Sequence, residues 1–199
     1  TAARDIRDHT LANLDAYLAA FADKAEAAGA RIHWAEDAAE ARTIIAHLAL
    51  ARGAKLVAKG KSMVSEEIGL NGFLESLGLE VFESDLGEYL VQIRGETPSH
   101  IIFPAIHLSR DDIEADFRRQ HRHLPPDRGL ATAETLVAEA RAVLRARFLA
   151  SDIGITGANF LIAETGSAVI VTNEGNGDLS AHLPSTHIVL ASIDKVVPT

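Results

Sequence analysis

Residues 151–176 read Ser-Asp-Ile-Gly-Ile-Thr-Gly-Ala-Asn-Phe-Leu-Ile-Ala-Glu-Thr-Gly-Ser-Ala-Val-Ile-Val-Thr-Asn-Glu-Gly-Asn. Two apolar, β-rich runs, 159–163 and 168–172, flank a tight polar break, Glu164-Thr165-Gly166-Ser167. A short apolar run bounded by turn residues reads as a buried strand, so the break falls where two strands meet. Gly166 permits positive φ and close backbone approach. Glu164 stands beside it, at the end of a buried strand. A second polar cluster, Asn173-Glu174-Gly175-Asn176-Gly177-Asp178, follows the next run. In open α/β sheets chemistry gathers at strand ends.

Outward from this stretch, helical and strand patterns alternate. Leu11, Leu14, Leu18 and Phe21 predict an amphipathic helix over 8–28, closed by Gly29. A short strand is predicted at 31–35, then a helix opened by Asp37 and Glu40 that buries Ala41, Ile44, Ile45 and Leu48 and ends at Gly53. Residues 55–59 read as a strand and Gly60 as its turn. Ser65 caps the next helix, with Glu66 and Glu67 at its positive end and Gly78 closing it. Strands are predicted at 79–82 and 99–103, and a helix capped by Ser109 and Asp112 runs to about 120. The linker 121–129 carries Pro125-Pro126. A longer helix follows, with a buried stripe of Leu136, Val137, Ala140, Val143, Leu144 and Phe148, and a last strand is predicted at 188–190. This order predicts one α/β domain over 1–199: an open, largely parallel sheet with helices on both faces and an antiparallel portion.

The chain has 199 residues, 47% hydrophobic, with a net charge of −9. That length and composition suffice for a core, and the acidity excludes a general pull toward nucleic acid. Arg110, Arg118, Arg119, Arg122 and Arg128 interleave with Asp111, Asp112, Glu114, Asp116 and Asp127, which reads as a solvated helix face. No apolar run approaches the roughly 18 residues of a membrane span. With no cysteine, disulfides and thiolate-held iron–sulfur clusters are outside this chain's chemistry. Thr1 is not a start methionine, and the chain stops just after the apolar run 188–197, which points to a piece of a longer protein.

Lys59-Gly60-Lys61-Ser62 lies between a strand and a helix. It is not a P-loop, because the first glycine of G-x-x-x-x-G-K-[ST] would fall at Lys55. Two readings stand: a carboxylate or phosphate site built from two ammonium groups, a hydroxyl and free N–H groups, or a turn with solvated lysines. Glu164 is either an acid or base at a strand end or a residue that shapes its turn. Asn173, Glu174 and Asn176 are ligand contacts or a plain turn. None of the nine histidines falls at a metal-ligand spacing; His107 is the one placed to face a cleft, and His47 reads as structural. Met63, Phe73, Leu74 and Leu77 read as core.

The segments 59–71, 83–89, 98–107, 156–167 and 173–176 together resemble the LUD domain of lactate-utilisation proteins, in the branch formed by the iron–sulfur subunit. The resemblance implies a sugar-isomerase or CoA-transferase-like open sheet. It implies work in the cytoplasm, oxidising L-lactate to pyruvate with sister subunits. It also implies [4Fe–4S] clusters on a cysteine-rich module outside this chain, with none in these residues. A small carboxylate, lactate or pyruvate, is the implied ligand. The candidate contacts are Lys59, Lys61, Ser62, His107, Thr165, Gly166, Ser167, Asn173, Glu174 and Asn176, with Glu164 as acid or base. No G-x-G-x-x-G follows a strand, so the chain alone supplies no hydride acceptor. Two alternatives stay open: a non-catalytic carboxylate-binding or assembly module, and isomerase or acyl-transfer chemistry using Lys59 or Glu164. The central expectation is that the Lys59 turn and the Glu164 turn face one cleft.

Overall fold

The computed structural model describes residues 1–100 and 102–199. Helices α1 (Ala2–Ala12), α2 (Leu14–Ala27) and α3 (Ala38–Leu50) lead to β1 (Leu56–Lys59). Two short helices, α4 (Met63–Glu67) and α5 (Leu70–Ser76), return the chain to β2 (Glu80–Glu83). Then come α6 (Leu86–Arg94), α7 (Arg110–Gln120) and α8 (Ala133–Ala150), and β3 (Ile153–Thr156). The last part holds β4 (Phe160–Ile162), β5 (Ser167–Val169), α9 (Asn176–His182), β6 (Thr186–Val189) and β7 (Val196–Val197).

The main sheet is parallel, in the order β2-β1-β3-β6. Side chains alternate across it. Val57, Val81, Ile153 and Ile155 pack on Ile45, Ala49, Leu70 and Leu74 from α3 and α5. Ala58 and Phe82 pack on Tyr89, Phe117, Leu136 and Phe148 from α6, α7 and α8. A second sheet, β5-β4-β7, pairs β4 with β5 antiparallel and β4 with β7 parallel. It closes over α2 through Phe21, Ala25, Leu161, Ala163 and Val196. The predicted α/β class, parallel sheet and antiparallel portion are all present.

Several boundaries differ from the sequence reading, each for a local reason. The helix expected over 8–28 is two helices broken at Asn13, whose side-chain amide donates to His9 O at 2.9 Å in competition with the backbone. Residues 31–35 join no ladder. Ser62, not Ser65, caps α4: its hydroxyl accepts from Ser65 N at 3.3 Å. The strand expected at 99–103 includes Ile101, which lies outside the described residues. Its described members are in no strand, and His100 Nδ1 accepts from Ile102 N and Phe103 N, both at 3.1 Å. Of the α8 stripe, Val137 faces solvent and Val143 is half-buried, and Met63 and Leu77 are exposed. Arg118 pairs with Glu114 at 2.8 Å near the surface, but Asp116, read as part of the solvated face, is buried between Arg94 and Arg119.

Gly166 holds the second sheet against α2. Its φ is +70°, and a Cβ there would stand 2.3 Å from Ala25 N. Gly166→Ala is therefore expected to cost about 1–3 kcal/mol from overpacking, with left-handed strain added. Urea unfolding checks this, and an unchanged midpoint would show that the contact yields freely.

Candidate functional site

Register places Lys59 beside Glu83, the last residues of β1 and β2, on one face of the sheet. Their charged groups meet at 2.9 Å with both side chains buried. Lys59 Nζ also donates to Ser65 Oγ at 3.1 Å, and Ser65 Oγ donates to Ser62 O at 2.6 Å. Asn71 Nδ2 donates to Glu83 Oε1 at 2.6 Å. Burial pushes the Glu83 carboxyl above the usual carboxylate range, against the pull of Lys59. This corrects the expectation for Lys59. It is 0% exposed and already neutralised by a carboxylate, so it is no free cation for a ligand; it is the keystone of the strand ends.

The cation that remains accessible is Lys61, whose side chain is 31% exposed. Its Nζ donates to Ile102 O at 3.1 Å and lies 3.7 Å from Glu88 Oε1. Glu88 sits in the first turn of α6, behind the N-cap Asp85, whose side chain accepts from Glu88 N at 3.1 Å. The residue is 4% exposed. Among the described residues, Lys61 is the one cation that pairs with it. Burial first, then the negative charges of Glu66 and Glu83, push the Glu88 carboxyl up to about 7, with Lys61 and Lys59 opposing. A group that changes charge near neutral pH suits proton transfer. On the side of Lys61 lies a recess of about 100 Å³ lined by Lys61, Met63, Glu66 and Glu67.

These groups stand where the topology favours a ligand. The chain passes from β1 to β2 on one side while β3 lies on the other, so the connections diverge at the carboxyl ends of β1 and β3. There the backbone is tight: Gly60 N donates to Ile155 O at 2.7 Å, and a Cβ on Gly157 would lie 3.3 Å from Ser62 Oγ. Thr156 Oγ1 and His187 Nε2 meet at 2.8 Å, and burial lowers the His187 pKa. Asn173, Glu174 and Asn176 lead into α9, which feeds the amino end of β6. A crossover helix runs antiparallel to its strands, so this loop lies toward the same sheet edge. Ser180 Oγ on α9 donates to Ser84 Oγ, just past β2, at 3.1 Å.

Glu164, Thr165, Gly166 and Ser167 are elsewhere. Glu164, Thr165 and Gly166 lie in the turn of the β4–β5 hairpin in the second sheet, and Ser167 opens β5. Glu164 is exposed, its N–H donates to Pro198 O at 3.0 Å, and Thr165 Oγ1 donates to Ser167 Oγ at 2.9 Å. The turn packs on the Lys24–Ala25 backbone. Among the described residues no hydrogen bond or ion pair joins it to the Lys59 cluster. The polar break is a hairpin turn of the second sheet and not the end of a strand of the main sheet, so the rule that brings the strand ends of one open sheet together does not reach it. His107 is engaged on both ring nitrogens, with Glu96 at 2.8 Å and Ser99 at 2.9 Å, in the loop whose Ile102 carbonyl meets Lys61. Among the described residues no cluster of three His, Asp or Glu side chains is placed to hold a metal.

Sequence reasoning misses Glu83 and Glu88. The available signal is Asp85 with Glu88 three residues later, a helix-start pattern that places Glu88 in the first turn after a buried strand.

Comparison with known proteins adds an independent finding. The LUD domain family matches residues 18–199. Three similar proteins are each named Lactate utilization protein B. That of Bacillus pumilus (strain SAFR-032) is 44% identical over 196 residues, 98% of this chain and 41% of that protein. That of Geobacillus thermodenitrificans (strain NG80-2) is 46% identical over 198 residues, 99% and 41% respectively. That of Bacillus subtilis (strain 168) is 44% identical over 200 residues, 98% and 40%. The chain thus spans about 41% of the length of such relatives. No solved structure matches it.

Proposed function

Since the chain belongs to the LUD domain family, we propose that it serves in lactate utilisation, and that the crevice at the ends of β1 and β2 receives a small 2-hydroxy or 2-oxo acid. Lys61 pairs the acid's carboxylate. As L-lactate becomes pyruvate, Glu88 takes the hydroxyl proton while the Cα hydrogen leaves with its electron pair to a two-electron acceptor carried by a sister subunit; the reverse step returns both. The work belongs to a cytoplasmic, multi-subunit assembly in which sister subunits carry the electrons. No helix of the described residues is long and apolar enough to cross a membrane. The [4Fe–4S] clusters implied by the resemblance take thiolate ligands. This chain has no cysteine, so its residues do not fit them, and no step here runs through a cluster.

One observation carries the reading: a buried carboxyl pushed up to about 7, paired with a part-exposed lysine just past β1, the strand that borders the switch point of the sheet. The isomerase or acyl-transfer alternative loses ground, because Glu164 stands on the other sheet and Lys59 is neutralised. Calorimetry with L-lactate, pyruvate, a sugar phosphate and a CoA ester tests the choice. Pyruvate or lactate is expected to bind, Lys61→Ala to weaken that binding by about 1–3 kcal/mol, and Glu164→Gln to leave it unchanged. Equal affinity in Lys61→Ala and wild type would remove the crevice from consideration.

A further inference from the structure

Glu88 is 4% exposed, so a ligand held on Lys61 cannot reach its carboxyl while the neighbouring chain stays in place. Two observations identify the piece in the way. Pro104, in the loop between α6 and α7, is buried on Gly87, the residue before Glu88: a Cβ on Gly87 would stand 2.8 Å from Pro104 Cγ and 3.2 Å from its Cδ. Ile102 O, two residues earlier, accepts from the Lys61 ammonium at 3.1 Å. That ammonium lies 3.7 Å from Glu88 Oε1. The loop therefore touches Lys61 directly and the backbone next to Glu88. Its carbonyl takes from Lys61 a hydrogen bond that a ligand's carboxylate would take more strongly, because a charged acceptor makes the stronger bond.

Residues 102–104 lie in no helix or strand. The side chains of Ile102 and Phe103 face solvent, so the apolar area given up on lifting is mainly that of the Pro104 ring. The bonds that shape the loop are internal to it: Pro104 O accepts from Ser99 N at 3.2 Å and from Ser99 Oγ at 2.9 Å. The far side is anchored, because Ala105 and Leu108 pack on the core beside Tyr89 and Phe117, and Ser109 caps α7. Lifting thus costs the Lys61–Ile102 bond and the seat of Pro104 on Gly87, far less than global unfolding. We propose that residues 102–104 are a latch over the Lys61–Glu88 crevice, closed in the free chain and opened when the carboxylate of the incoming acid replaces the Ile102 carbonyl on Lys61. Loops that close an active site and shut out water work in this manner. The identity of the acid rests on the function proposed above; the motion of the latch does not.

The chain has no cysteine, so one introduced thiol reports on one place. Without any ligand, Glu88→Cys is expected to react slowly with iodoacetamide. Adding Pro104→Gly, or the wedge Gly87→Ala should the first not fold, is expected to raise that rate at least about tenfold. A reference thiol in the core, Ala140→Cys, is expected to keep its rate under the same changes. Rates that rise equally at both positions, or at neither, would overturn the latch. A second arm adds pyruvate. Gly87→Cys/Pro104→Cys places two thiols within disulfide reach. Oxidised, this variant is expected to bind pyruvate at least about tenfold more weakly than after reduction. Undiminished binding with the disulfide closed would also overturn the latch. If pyruvate binds neither form while the labelling rates separate as stated, the ligand reading fails and the latch stands.

Discussion

Lys59→Met is expected to destabilise the chain by about 3–5 kcal/mol, the usual cost of stripping one partner from a buried ion pair. The change keeps the volume of the stem and removes the ammonium that faces Glu83 at 2.9 Å. Glu83 is 4% exposed. Its remaining partner there is Asn71, a neutral donor. Without Lys59 the carboxylate must either stay charged in an apolar setting or take up a proton, and burial already pushes it that way. Ser65 loses its donor as well. The double variant Lys59→Met/Glu83→Leu removes both charges and is expected to recover most of the loss, because apolar replacements of a buried pair are often neutral or better. Urea unfolding of the two single variants and the double variant measures the coupling. Additive losses would mean that the two groups do not depend on each other in the folded chain.

Glu88→Gln is expected to move stability and function in opposite directions. The Glu88 carboxyl is raised from 4.5 to about 7, so the folded chain holds this proton more tightly than the unfolded chain does. The stability it contributes is full below about 4.5 and is lost as pH rises toward and through about 7. At about 1.36 kcal/mol per pKa unit, the loss approaches 3 kcal/mol by pH 8, as an order of magnitude. Glutamine carries no such charge. Glu88→Gln should therefore be more stable than wild type at pH 8 and close to it at pH 4.5. In the multi-subunit lactate-oxidising assembly proposed above, the same variant is expected to lower turnover by roughly 10²–10⁴-fold, the usual worth of a positioned acid or base. Unfolding curves at both pH values check the first effect, and steady-state turnover the second. Full turnover in Glu88→Gln would return Glu88 to a structural role.

Much of the main sheet is legible in the amino-acid sequence. The apolar runs near β1 and β2 and the glycine-closed helices alternate clearly, and alternation implies parallel strands. β3 is hidden for a physical reason. Gly154 interrupts its apolar pattern, and it does so because α9 lies directly on it: a Cβ there would stand 1.7 Å from Ser180 O. The site is only half legible. Lys59 and Lys61 are close in sequence and look equivalent. Strand alternation buries the first against Glu83 and leaves the second, past the strand end, part exposed. Glu164 attracts attention because it follows an apolar run that reads as a buried strand, yet nothing local distinguishes a hairpin turn of a second sheet from a strand end of the main one, and Phe160 of that run is exposed. The pairing β4 with β5 is a tertiary fact. Glu88 looks like any acidic residue in a first helical turn; its burial beside Glu83 and Glu66 exists only once β2 and α4 are in place.

The affinity for pyruvate measured from pH 5.5 to 8.5, in wild type and in Glu88→Gln, tests the crevice most directly. Below about 7 the Glu88 carboxyl is neutral and Lys61 is free to pair with the ligand's carboxylate. Above it, Glu88 becomes an anion in the same crevice, repels the ligand and competes for Lys61. Wild-type affinity is expected to fall as pH rises through about 7, by at most about tenfold per pH unit for one linked proton. Glu88→Gln is expected to bind with little pH dependence across that range. A flat wild-type profile, or the same fall in Glu88→Gln, would show that pyruvate does not bind between Lys61 and Glu88.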